Sequence, residues 1–118
     1  MFLEVAAAAE GVMKDGLYRV EFQTQRGAGA GVVFLEGGTL RGGDSQMFYT
    51  GSYSEDGGQF TAQVQTDVHT RPSISVFGMD RVHIRLSGTT NGDSAQMTGT
   101  ATEAPGITFR AVLNRIAG

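Results

Sequence analysis

No cysteine occurs among the 118 residues. Disulfides, thiolate metal sites and a cysteine nucleophile are thereby excluded, and a reducing compartment suits the chain. Positive charge is sparse as well: nine Lys and Arg stand against twelve Asp and Glu, for a net charge of −3, and Lys14 is the one lysine. The arginines are scattered singly, so no basic patch can neutralise phosphates, which argues against direct nucleic-acid binding. Long apolar runs are missing too. A membrane-spanning helix needs roughly 20 apolar residues. The opening "MFLEVAAAAEGVMKDG" has only a short run, broken by Glu4 and preceded by no positive charge, so it is not expected to act as a secretory signal. The expectation is a soluble, cytoplasmic protein with no membrane partner.

Glycine, by contrast, is abundant. Eighteen glycines are about twice the usual ~7%. They follow no repeat period and cluster between apolar segments, as turn residues do. From residue 16 onward the chain reads with period two. Tyr18, Val20 and Phe22 alternate with Arg19, Glu21 and Gln23. Phe60, Ala62, Val64, Thr66 and Val68 share one face, and Val82, Ile84 and Leu86 another. "GAGAG" at 27–31 reads as a turn region, as do Gly37-Gly38, Gly57-Gly58, Asn91-Gly92 and Pro105-Gly106. "TRPSISVFGM" reads as a looser connection, because Pro72 is poor ladder material.

About eight strands with one apolar and one polar face predict an all-β fold, an antiparallel sheet covered on one side. An up-and-down barrel is favoured because closure removes exposed edges; a two-sheet sandwich satisfies the same alternation. One domain spans 13–118. Residues 1–12 are expected to be a short helical or disordered N-terminal extension, either a frayed tail or a segment ahead of a natural start at Met13.

The inward set includes the small residues Ala62, Ala95, Gly99, Ala101 and Ala111, so an eight-stranded barrel has room for one small ligand. The expected cavity residues are Tyr18, Val20, Phe22, Phe60, Val64, Met97 and Phe109. Tyr18, Thr50 and Thr66 are the hydroxyls placed to orient a polar group. Catalytic chemistry finds little purchase. "GAGAG" precedes a strand rather than the helix that a phosphate loop opens. "GSYSE" at 51–55 lacks the second glycine of a nucleophile elbow. His69 and His83 are expected on the solvent face, without a metal. No catalytic residue, cofactor or metal is assigned, and an enzyme is not expected. Asp44 is expected to cap the turn that follows it, with Gly42 and Gly43 bending the strand. "MFYTGSY" is apolar on both faces, which suggests a subunit contact at Met47, Tyr49 and Tyr53.

"MKDGLYRVEF" at 13–22, "GVVFLEGGTLRGGD" at 31–44 and "YTGSYSEDG" at 49–57 resemble the GrlR family of negative regulators of type III secretion. The resemblance covers residues 13–60 well and the later strands by pattern. It implies a lipocalin-like barrel with an apolar cavity, a homodimer, and repression through protein–protein interaction with a transcriptional activator. The family's acidic cluster alternates four residues, Glu-Asp-Glu-Asp. Glu55 and Asp56 match its first half and are the implied partner-binding residues, whereas Gly57 and Gly58 replace the second. The alternative function is a barrel that binds a small apolar, lipid-like molecule.

Overall fold

Eight antiparallel strands pair in chain order, and the last pairs with the first to close a barrel. The computed structural model describes residues 13–118, so the expected extension at 1–12 lies outside the described residues. The strands are β1 (Gly16–Thr24), β2 (Gly27–Glu36), β3 (Thr39–Gly43), β4 (Met47–Asp56), β5 (Gln59–Val68), β6 (Val82–Asn91), β7 (Ser94–Ala101) and β8 (Ala104–Ala117). Closure runs from Leu17↔Ala117 to Gln23↔Arg110, leaving no strand edge for another chain to extend. No helix occurs among the described residues, and none is long and apolar enough to cross a membrane. Most of the apolar side chains point inward, with Val32, Phe34, Phe48, Val112 and Ile116 as outward exceptions.

Turn chemistry explains the hairpins. Gly37 and Gly38 (φ 55° and 89°) link β2 to β3, and Gly57 and Gly58 (φ 59° and 86°) link β4 to β5. Positive φ at both central positions is the primed turn that matches strand twist. The β6–β7 turn is centred one residue later than Asn91-Gly92 implies. Asn91 pairs with Ser94, so Gly92 (φ 67°) and Asp93 are central. Glycine alone supplies the positive φ there, so asparagine is left in the ladder.

Two further expectations are corrected. "GAGAG" is not a turn but the first half of β2, the turn lying at Gln25 and Arg26. Its inward positions carry glycine because aromatic rings occupy the space. A Cβ on Gly29 would lie 2.8 Å from the Phe22 ring, and one on Gly31 2.7 Å from the Tyr49 hydroxyl. Pro105-Gly106 likewise lies within β8, where the register slips between Ala101↔Ala104 and Thr100↔Thr108. A bulge tolerates proline because it frees an N–H from the ladder.

One end of the barrel carries the turns 37–38, 57–58 and 92–93, and it is plugged. Met13, Tyr18, Leu35 and Phe60 are buried there, and Tyr53 stacks on Phe60 at 5.3 Å. The other end carries the longer connections 44–46 and 69–81, and it holds the site.

Candidate functional site: an apolar cavity with a polar mouth

A cavity of about 380 Å³ occupies the half of the barrel away from the plug, open on one side. Its walls come from inward positions of successive strands: Val20 and Phe22 (β1), Val33 (β2), Val64 (β5), Met97 (β7) and Phe109 (β8). Small residues make the room, with Gly29 opposite the Phe22 ring and Ala111 between Phe109 and Leu113. Phe22 stacks on Phe109 at 5.8 Å, and Phe77 packs on the same Phe109 at 5.5 Å. Phe77 belongs to the connection 69–81, which folds across part of the mouth. It is tied there by the Thr24 hydroxyl donating to the Val76 carbonyl at 2.6 Å and the Ile74 N–H donating to Gln46 Oε1 at 3.1 Å.

Of the seven expected cavity residues, Val20, Phe22, Val64, Met97 and Phe109 line this space. Tyr18 and Phe60 do not. Both are inward and fully buried, but they belong to the plug, and the Tyr18 hydroxyl donates to the Lys14 carbonyl at 2.6 Å. Burial raises the Tyr18 pKa, against the lowering effect of Arg115. Alternation identifies the inner face but not the height along the barrel axis. Of the expected hydroxyls, Thr66 reaches the cavity, whereas Thr50 points outward.

Met47, Tyr49 and Tyr53 are corrected as a subunit contact. Met47 and Tyr49 are buried inside the barrel and Tyr53 is partly so, because β4 turns its odd-numbered residues inward. The outward apolar side chain of that segment is Phe48. Glu55 shares the inward face, and its carboxylate accepts from the Met13 N–H at 2.6 Å and from the Thr90 hydroxyl. It therefore clamps the plugged end, and of the acidic pair only Asp56 stands exposed.

Asp44 is where the sequence reading was right about the backbone and silent about the site. Its Oδ1 accepts the N–H groups of Gln46 (2.8 Å) and Met47 (2.7 Å), capping the turn, and its Oδ2 accepts the Tyr49 hydroxyl at 2.5 Å. Asp44 also lines the cavity mouth with Ser45, Gln46 and Ser75. Burial pushes its carboxyl upward, but the hydrogen bonds from Tyr49, Gln46 and Met47 outweigh it, and the group sits below its ordinary value. Tyr49 is pushed up, first by burial and then by the Asp44 bond, so its proton stays on oxygen. The signal available in the sequence was Asp44 and Tyr49 five apart around a turn into an aromatic strand.

The histidines stand apart. His69 Nε2 meets the Asp44 carbonyl at 2.9 Å, whereas His83 Nδ1 meets Glu103 at 2.6 Å on the outer face. Asp67 is engaged by Arg81 at 3.0 Å. Among the described residues no group of three or more His, Cys, Asp or Glu is arranged to hold a metal. No protein-family model and no curated protein matches the chain.

Proposed function

We propose that the protein is a non-enzymatic barrel that binds one small, mostly apolar molecule. The observation that carries this reading is the apolar cavity with an open mouth. Ligand pockets typically measure ~300–1,000 Å³. At about 30 Å³ per heavy atom, roughly the share of a water molecule, the space suits about a dozen atoms. Water gains little there, because walls of Val, Phe and Met offer few hydrogen-bond partners. Native mass spectrometry of the purified protein, followed by calorimetric titration with 1-decanol, tests the reading. A stoichiometric complex that Ala111→Phe abolishes is expected; no heat at the solubility limit of the alcohol sinks it.

A second reading follows the GrlR resemblance: a cytoplasmic negative regulator of type III secretion that acts by contact with a transcriptional activator and as a homodimer. It is favoured by Val32, Phe34 and Phe48, which lie exposed on the outer faces of β2 and β4. Exposed apolar side chains grouped on one sheet face suit a protein contact. The contact then lies on this outer face, where Phe48 pairs across the ladder with Asp67, whereas Asp56 stands at the opposite end of β4. Sedimentation velocity of wild type and Phe48→Asp checks the dimer, and a monomeric wild type removes it.

A further inference from the structure

We propose that the cavity selects its ligand by head group, accepting alcohols and amines and rejecting carboxylates. This rests on the ligand-binding reading above and extends it to the class of molecule.

Charge at the mouth is one-sided. Among the described lining residues the only ionisable group that carries charge at neutral pH is Asp44. Its carboxylate cannot swing away, since two backbone N–H groups hold Oδ1 and the Tyr49 hydroxyl holds Oδ2. No arginine is among the described lining residues, and two of the nearby ones are paired. Arg71 pairs with Asp80 at 2.6 Å and Arg81 with Asp67 at 3.0 Å, while the Arg26 guanidinium lies over Gly78. His69 hydrogen-bonds the Asp44 backbone carbonyl and acts on the carboxylate only through space, as the smallest of the influences that lower it. Tyr49 has committed its proton to Asp44 and so offers an incoming group a lone pair.

A ligand with its chain among Val20, Val64, Met97 and Phe109 leaves its head at this mouth. A hydroxyl or ammonium head finds acceptors there. A carboxylate head meets a like charge in a partly water-excluded site, where repulsion is stronger than in bulk water. Specificity of this kind comes from the repulsive element as much as from the attractive one. The other polar groups at the mouth, Ser45, Ser75 and Thr66, are hydroxyls that donate or accept and do not reverse the sign.

The test is calorimetric titration of the full chain at about pH 8, where decanoate is ionised and decylamine protonated, using 1-decanol, decylamine and decanoate below their micelle concentrations. Decanol and decylamine are expected to bind, and decanoate at least about tenfold more weakly than decanol. Asp44→Asn keeps an Oδ1 acceptor for the turn, and it is expected to erase most of that gap and to weaken decylamine relative to decanol. Decanoate binding as tightly as decanol to the wild-type protein overturns head-group selection while leaving ligand binding intact, and that comparison needs no variant. A gap that survives Asp44→Asn in a folded protein also overturns it. Binding of none of the three probes overturns the ligand reading, and the selection falls with it.

Discussion

Glu55 and Asp56 are neighbours in sequence with opposite environments. Glu55 turns inward and joins Met13 to Thr90 across the plugged end, while Asp56 projects into solvent. Removing hydrogen bonds to a charged group costs about 1.5–3 kcal/mol, whereas surface changes usually stay within about 0.5 kcal/mol. Glu55→Ala is therefore expected to lower the urea midpoint clearly and Asp56→Ala barely to move it; equal effects would contradict the clamp. Phe60 is fully buried against Tyr53. Its truncation to alanine leaves a cavity in the plug and is expected to cost about 3–5 kcal/mol, measured by the same denaturation.

Strand β2 is the element in which glycine does the most. Its inward Gly29 and Gly31 yield space to Phe22 and Tyr49, and the alternating positions Ala28 and Ala30 are exposed. Gly31→Val puts atoms where the Gly43 carbonyl and the Tyr49 hydroxyl already lie. Overpacking of this kind costs about 1–3 kcal/mol. Ala30→Val, on the outer face of the same strand, is expected to be near neutral, and thermal melts of the pair decide between a space-filling role and a merely flexible one. This asymmetry was not legible beforehand, because alternation of Gly with Ala looks like a turn until the partner rings are known. Asp44 shows the opposite case: its cap was legible from local turn chemistry, and its place at the cavity mouth was not.

At the scale of the barrel, stability rests on a ladder that closes on itself and on an apolar interior in which, among the described residues, no charged residue is fully buried. Val64→Asp buries an unpaired carboxylate and is expected to destabilise by several kcal/mol; a variant that melts with wild type would refute the face assignment. Acid adds a second test. Glu103 is held below its ordinary carboxyl value, first by the His83 side chain and then by the His83 backbone N–H. A group lowered in the folded state stabilises above its unfolded pKa and loses that contribution as pH falls through the folded value. The melting-temperature gap between wild type and Glu103→Gln is thus expected to be open at neutral pH and to close below about pH 4, near the ordinary carboxylate value. A gap that persists at lower pH would point to a different origin.

About eight strands, the inner faces of most of them and the two Gly-Gly hairpins were legible in the chain, because side-chain alternation and positive φ are properties of a few neighbouring residues; the inner face of β4 and the first half of β2 were not. Tertiary structure alone decided that β8 closes on β1, that Tyr18 and Phe60 plug one end while Phe22 and Phe109 wall the other, and that Glu55 faces in. Those outcomes depend on height along the barrel axis, which strand stagger sets through contacts between residues far apart in the chain.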